Sequence, residues 1–226
     1  MSTVFSAPLP SPLPAPVRMP TEERQALIVA AAIDLAGRIS PGAITTADIA
    51  REIGLTQGAL FKHFPSKEAI WVAVMDSVTT QLLGRLEAAA TPPWTPTPAA
   101  APTDAGGPAL GALSRVFHAH IAFVQEHPGV PRLIFHDLQQ PADSPLKQQL
   151  GMLMQRYRQL LTRLLQAAVA DGEATAELDI GAASTAFIGL VQGLAMQSLL
   201  VGSADALTLE AGRVLPLFIR SIRRTP

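Results

Sequence analysis

Residues 45–71 read TTADIAREIGLTQGALFKHFPSKEAIW, and this stretch holds the most informative pattern in the chain. Its helical pattern breaks at Gly54 and restarts after one residue. Thr45 and Asp48 have the spacing of a capping box, which predicts a helix start, and Gly54 can adopt the left-handed conformation that ends a helix. Two short helices joined by a tight turn bury little apolar surface by themselves, so the pattern indicates that one of their faces is presented to a partner.

The second of these helices, predicted for residues 56–63, has two different sides. Leu60 and Phe64 lie on one side, and the other side is small, polar and locally basic. This is helix-turn-helix geometry, in which small residues let a recognition helix approach the base edges of a major groove about 12 Å wide. The predicted DNA contacts are Thr45, Thr46, Gln57, Gly58, Ala59, Phe61, Lys62, His63 and Lys67.

The predicted contacts have different chemical roles. The Gln57 amide can pair with adenine, whereas Lys62, His63 and Lys67 lie where phosphates would pass. Backbone N–H groups at the capped helix start near Thr45 offer another phosphate site. On spacing alone, an ordinary pair of short helices with solvated lysines is equally compatible with the pattern.

The same stretch resembles the signature of the TetR family of bacterial transcriptional regulators, T-x-x-x-I-A-x-x-x-G-(V/L)-x-x-(G/P)-x-(L/I)-Y-x-H-F-x-(S/N)-K-x-x-L. The resemblance covers Glu22 to Trp71 and includes buried, turn and phosphate-contacting positions. It implies a homodimeric, all-helical DNA-binding repressor with a C-terminal ligand-binding and dimerisation domain. Phe61 stands where the family usually has tyrosine, so a hydroxyl-to-phosphate bond is missing.

Composition is compatible with this interpretation but does not carry it. The 226 residues are 48% hydrophobic and 15% charged, which is typical of a globular protein. The formal net charge is −1, so overall charge gives no argument for nucleic acid and DNA binding must depend on local placement. The chain contains no cysteine, which excludes disulfides, a thiolate nucleophile and a cysteine zinc site and is compatible with a reducing cytoplasm.

Proline-rich stretches divide the chain into four parts. We expect a disordered arm at 1–19, a DNA-binding domain at 20–80 with its helix-turn-helix motif at 45–64, a linker at 91–108 that contains Trp94, and a helical domain at 109–226. The arm lacks the apolar helical run of a signal peptide, so we expect a cytoplasmic protein. Periodicity predicts helices at 21–39, 45–53, 56–63, 67–90, 109–127, 129–140, 145–171, 179–202 and 207–224.

The predicted core of the DNA-binding domain follows the same periodicity. In the first helix the apolar face is assigned to Leu27, Ala30, Ala31 and Leu35. The three-helix unit as a whole is predicted to bury Leu27, Ile49, Ile53, Leu55, Leu60 and Phe64.

The segment from Ile180 to Ala204 contains no charged residue and is long enough to span a membrane. Its glycines and its Ser, Thr and Gln residues argue against a membrane helix. A helix that is apolar on nearly every side is otherwise buried on nearly every side, and a second subunit would cover its outer face. The predicted dimer interface, also implied by the resemblance, comprises Ala186, Gly189, Gly193, Leu194, Leu215 and Phe218.

The C-terminal domain offers little catalytic chemistry. His118 and His120 are two residues apart and lie on different helix faces, so we expect no metal site. His136 and Asp137 have no recognisable nucleophilic partner, so we expect neither an enzyme nor a cofactor. The resemblance implies an inducer pocket, with candidates Phe117, His118, Phe135, His136, Met154, Tyr157, Phe187 and Gln192.

The sequence therefore predicts an all-α protein that binds a palindromic operator as a homodimeric repressor and is released by a small-molecule inducer. A second interpretation stays open. In it, the protein is a helical adaptor or membrane-associated protein whose N-terminal helices bind another protein instead of DNA.

Overall fold

The computed structural model describes residues 19–91, 107–139, 143–202 and 204–224, and this part of the chain is helical apart from turns and one isolated bridge. Its helices lie within one turn of the predicted bounds. They are α1 (Thr21–Arg38), α2 (Thr46–Glu52), α3 (Gln57–Phe61), α4 (Lys67–Ala90), α5 (Pro108–Glu126), α6 (Gly129–Leu138), α7 (Pro145–Ala170), α8 (Ile180–Val201) and α9 (Ala204–Ile222). The predicted all-α fold is thus confirmed. Residues 1–18 of the expected arm and residues 92–106 of the predicted linker, including Trp94, lie outside the described residues.

The α1 to α3 unit packs around α1, whose buried face includes the predicted Ala31 and Leu35 but not the predicted Leu27 and Ala30. Ile28, Ala32 and Leu35 are buried, whereas Leu27 is 41% exposed, so the prediction that Leu27 belongs to the core is wrong. The α1 sequence is apolar on most of its circumference between residues 26 and 36, so periodicity alone could not fix the rotation of the helix. Ala30, which was also assigned to the apolar face, is exposed as well.

The core of the unit otherwise follows the predicted pattern. Ile49 and Leu60 are completely buried and Phe64 is nearly so. Ile53 and Leu55 are partly buried against the same cluster. These contacts place the α2–α3 pair on α1 and leave the opposite side of α3 open.

Helix α4 links the α1 to α3 unit, which is the predicted DNA-binding unit, to the C-terminal helices, because its buried side continues from Ile70 through Val78 to Leu86. Helix α5 packs along α4, and α7, α8 and α9 complete the domain around it. The start of α5 is capped from a distant part of the chain: the Glu173 carboxylate accepts hydrogen bonds from the backbone N–H groups of Ala109 (3.2 Å) and Leu110 (2.8 Å). This carboxylate satisfies two N–H groups that a helix start leaves without partners.

Helix α6 packs directly on α1 at a glycine. A Cβ atom on Gly129 would overlap the Ile33 carbonyl oxygen and lie 2.7 Å from the Gly37 nitrogen, so only a hydrogen fits between these two backbones. Farther along α6, the His136 ring lies over Gly42, where an added Cβ would be 3.0 Å from the ring. Helix α6 therefore contacts the DNA-binding unit both on α1 and at the turn before α2.

Candidate DNA-binding surface and ligand cavity

The α2–α3 pair is built from two local caps and one left-handed glycine. The Thr45 hydroxyl accepts from the Asp48 N–H (3.1 Å), and the Asp48 carboxylate accepts from the Thr45 N–H (3.0 Å), which confirms the predicted capping box. Gly54 has φ +67°, as predicted, and Thr56 caps α3 through the Ala59 N–H (3.2 Å). The bonds from Thr45 hold the pKa of the Asp48 carboxyl below its usual value.

The outer side of α3 is open to solvent. Gln57, Gly58, Phe61 and Lys62 are all exposed, with 43% of Phe61 accessible. A Cβ on Gly58 would meet no neighbour within 4 Å, so this part of the helix presents its backbone closely to any partner. An exposed large aromatic side chain on a short, capped helix is suited to packing against another molecule.

The Gln57 side chain is held in place before any partner binds. Its amide donates a hydrogen bond to the Thr46 hydroxyl at 2.7 Å, which joins the start of α3 to the start of α2. Both residues are predicted DNA contacts, and the structure brings them together on one surface. Thr45 is exposed beside them, and Ala59 and His63 are partly buried at its border.

Lys67 has a structural partner that its sequence position did not indicate. Its ammonium group donates to the carbonyl oxygens of Pro41 and Gly42, each at 3.2 Å, and so ties α4 to the turn before α2. Burial lowers the pKa of Lys67 below its usual value, and the charge of Asp48 partly opposes that change. One of three N–H donors is left for a phosphate, so that contact stays a prediction.

The C-terminal domain contains a cavity of about 290 Å³ enclosed by α4 to α8. Apart from His120 and Gln192, its lining is apolar. Three of the predicted ligand contacts, Phe135, Met154 and Gln192, line this cavity.

The other predicted ligand contacts lie elsewhere. Phe117, Tyr157 and Phe187 are completely buried and pack together in the core behind the cavity. His118 is exposed, and His136 lies against Gly42 of the DNA-binding unit. Their direct contact with a ligand remains a prediction that the cavity lining does not favour.

One polar group that lines the cavity was not among the predicted ligand contacts: His120, which sequence reasoning considered only as a metal ligand. Its Nδ1 lies 3.0 Å from the Tyr157 hydroxyl. Burial lowers the pKa of His120 from 6.5 to about 4, so the ring is neutral at physiological pH, and burial raises the pKa of the Tyr157 phenol. The helical spacing from His120 to Phe123 and Val124 was the one available signal, since it places the histidine on the buried face of α5.

Helix α6 lies between the cavity and α1. Val130, Pro131 and Ile134 contribute to the cavity wall, whereas Gly129 packs on the α1 backbone. A displacement of α6 by a molecule in the cavity would therefore reach the DNA-binding unit directly.

The outward side of α8 and α9 has no partner within the described chain. Gly189 and Gly193 would each accept a Cβ without any contact within 4 Å, while Leu200 and Leu217 are 82% and 58% exposed. Ala186 is also exposed on this side. The remaining predicted interface residues, Leu194, Leu215 and Phe218, are buried within the single chain.

Among the described residues, α8 is the one helix long and apolar enough to cross a membrane, which by itself is weak evidence for a span. Its Val191 and Leu194 pack in the core of the domain. Within the same described ranges, no group of three His, Asp or Glu side chains could hold a metal ion.

The fold and the α2–α3 surface define a helix-turn-helix DNA-binding protein with a separate C-terminal cavity domain. Residues 28–74 match the family model described as bacterial regulatory proteins of the tetR family, and residues 140–211 match the tetracyclin repressor-like C-terminal domain. The chain belongs to the TetR family of transcriptional regulators.

Curated relatives of this chain are distant in sequence. The nucleoid occlusion factor SlmA of Vibrio campbellii is 23% identical over 65% of this chain and 68% of its own length. In eight curated relatives that carry this name, the aligned part spans 56% to 68% of their length.

Two solved structures cover nearly the whole described fold. A TetR regulator from Chloroflexus aurantiacus superposes with a TM-score of 0.72 over 91% of this chain and 98% of its own, at 17% identity. The regulator FadR from Bacillus subtilis, in complex with stearoyl-CoA, gives 0.70 over 88% and 99%, at 18% identity. At such identities the likeness shows the fold.

Proposed function

We propose that the protein is a homodimeric, cytoplasmic repressor that binds a two-fold symmetric DNA operator and leaves it when a small molecule occupies the cavity. The observation that supports this most is the position of α6, which lines the cavity and packs on α1 at Gly129. Two recognition helices must lie about 34 Å apart, or a multiple of this, to enter successive major grooves. A ligand that moves α6 would change this separation and weaken binding.

The dimer would form through the outward side of α8 and α9. Small residues at Ala186, Gly189 and Gly193 allow two helices to approach closely, and the exposed Leu200 and Leu217 supply apolar surface around them. A two-fold axis through this side would pair α8 and α9 with their copies as a four-helix interface. Such an interface also accounts for the uncharged sequence of α8 without a membrane.

DNA would be contacted by the outer side of α3 and the start of α2. Gln57 would read a base, while Phe61 and Lys62 would pack and pair along the sugar-phosphate backbone. The chain would act by binding and not by catalysis. FadR of Bacillus subtilis, with its bound stearoyl-CoA, is one example of this fold holding a small molecule.

Fluorescence anisotropy with labelled duplexes tests the DNA assignment. The duplexes would cover the DNA flanking the gene, with a random duplex of equal length as control, each titrated at several salt concentrations. We expect one flanking duplex to bind more tightly than the random one. Gln57→Ala should reduce this discrimination, because it removes a base contact.

Lys62→Ala is the matched variant that tests a contact to the DNA sugar-phosphate backbone. It should weaken binding to both duplexes and lower the salt slope by about one unit, because a phosphate contact carries no sequence information. Equal affinity of the parent for every duplex, or unchanged discrimination in Gln57→Ala, would contradict the proposal.

The relatives named nucleoid occlusion factors leave a second candidate, in which this chain too is a nucleoid occlusion factor and not a ligand-responsive repressor. The cavity argues for the ligand-responsive function. Operator binding that no cavity-filling compound changes would favour the second candidate.

A further inference from the structure

The cavity has a simple chemical character. Its lining includes side chains from Val78 on α4 to Ala195 on α8, and none of the lining residues is charged. Gln192 is exposed and lies at the side that is open to solvent, so His120 is the one polar group of the interior wall. The chemistry of His120 therefore decides which polar group a ligand can place inside.

The hydrogen-bond direction at His120 follows from Tyr157. The phenol is completely buried, and among the described residues its hydroxyl has one partner, His120 Nδ1. If Nδ1 carried the proton, the buried phenol proton would have no acceptor, which is costly. The hydroxyl therefore donates to Nδ1, and a neutral imidazole then carries its own proton on Nε2.

The Nε2–H group of His120 is available to a ligand. Within the described part of the chain Nε2 makes no hydrogen bond, and it is not one of the buried polar atoms that lack a partner, so the atom is accessible. The accessible space beside this ring is the cavity. The Tyr157–His120 pair thus presents one fixed donor to an otherwise apolar interior.

Resting on the proposed repressor function, we infer that the effector is an uncharged, mainly apolar molecule with a carbonyl or ether oxygen that accepts a hydrogen bond from His120 Nε2. A carboxylate or phosphate in the interior would have no cationic partner, and an unpaired buried charge is strongly disfavoured. An effector without an acceptor would leave the Nε2–H group unsatisfied once the cavity is filled. The volume of about 290 Å³ limits the buried part to a small ligand.

The neutral state of the histidine agrees with this assignment. Burial holds the pKa of His120 at about 4, so the ring does not become a cation that could pair with an acidic effector near neutral pH. Tyr157 acts as a positioning residue, because it fixes the tautomer without reaching the ligand.

Three probes of equal chain length test the inference: decan-2-one, decane and decanoate. Equilibrium dialysis with chromatographic quantification would give the affinity of each for the full-length protein. We expect the ketone to bind more tightly than both other probes. In His120→Phe/Tyr157→Phe, which removes donor and acceptor together and leaves no orphaned hydroxyl, ketone affinity should fall about two- to tenfold while decane affinity stays unchanged.

Tyr157→Phe alone is the second variant, because it keeps the imidazole. It should retain a preference for the ketone over decane, with partial loss as the tautomer is no longer fixed. A ketone preference that survives in the double variant, or decanoate binding as tight as ketone binding in the parent, would overturn the inference.

Operator binding measured on the same samples tests the repressor function separately from the effector assignment. If none of the probes binds while the parent still discriminates its operator, the effector assignment fails and the DNA-binding function stands. If the ketone binds as expected but no duplex is discriminated, the effector assignment stands and the repressor function fails.

Discussion

Gly129→Ala tests the contact that links the ligand cavity to the DNA-binding unit. The added methyl group would overlap the Ile33 carbonyl oxygen and approach the Gly37 nitrogen to 2.7 Å. Both neighbours are backbone atoms, so no side-chain rotation relieves the overlap, and α6 must move away from α1 by about 1 Å to restore ordinary contact distances. Overpacking of this kind costs about 1–3 kcal/mol.

A smaller effect opposes this cost. Replacing glycine by alanine in a helix stabilises by roughly 0.5–1 kcal/mol, and less at the first position of a helix such as α6. We therefore expect Gly129→Ala to lower the free energy of unfolding by about 1–2 kcal/mol, measured by urea denaturation with an unchanged slope. The displaced α6 should also alter operator affinity, measured by anisotropy.

Two matched variants isolate the cause. Gly151→Ala lies on the exposed side of α7 with no neighbour within 4 Å of the new methyl group, so it should be neutral or stabilising by up to about 1 kcal/mol. Gly37→Ala lies across the same contact, but its methyl group would meet Gly129 at an ordinary 3.6 Å, so it should be tolerated. If Gly129→Ala unfolds at the same urea concentration as Gly151→Ala, the close packing of α6 on α1 is refuted.

Four further outcomes are expected. Phe61→Tyr should tighten operator binding by up to about tenfold through a new phosphate hydrogen bond. If Phe61→Ala is folded and binds the operator as well as the parent does, the assignment of α3 as the DNA-contacting helix is refuted. Gly193→Arg should give monomers in light scattering, because it places an unpaired charge in the interface, while Gly84→Arg, equally open on α4, should leave the mass unchanged. Glu173→Ala should cost about 1 kcal/mol of unfolding free energy by uncapping α5; a melting curve identical to that of the parent would contradict the cap. Because His120 has a pKa of about 4 in the folded state and 6.5 when unfolded, the unfolded state binds more protons at this residue below pH 6.5. His120 should therefore lower the stability by at most about 1.4 kcal/mol per pH unit as the pH falls from 6.5 to 4, and His120→Gln should remove this contribution.

The helix-turn-helix could be predicted because its signals are local. The Thr45–Asp48 cap, the left-handed Gly54 and the Thr56 cap each involve residues no more than three positions apart. Such interactions form wherever the segment becomes helical, so the residue types reveal them directly. The inward position of Leu60 was predicted in the same way, from the apolar side of the short helix that is now α3.

The rotation of α1 could not be predicted in this way. Its apolar residues surround most of the helix, so periodicity assigned Leu27 to the core. In the structure α1 packs against α4 and α6, with Ile28 buried and Leu27 exposed. The neighbours of a helix choose its buried face when several faces are equally apolar.

Residue types along the chain were enough to predict the helices, the Thr45–Asp48 cap and the motif that belongs to DNA-binding proteins, because each depends on neighbours within a turn or two. The packing of the helices, and not the sequence pattern, shows that Lys67 donates to Pro41, 26 positions away, and that His120 pairs with Tyr157, 37 positions away. It also shows that the close contact of α6 on α1 falls at Gly129. These contacts depend on how helices pack against one another, and a pattern of residue types along one helix carries no information on which distant backbone or side chain will lie opposite it.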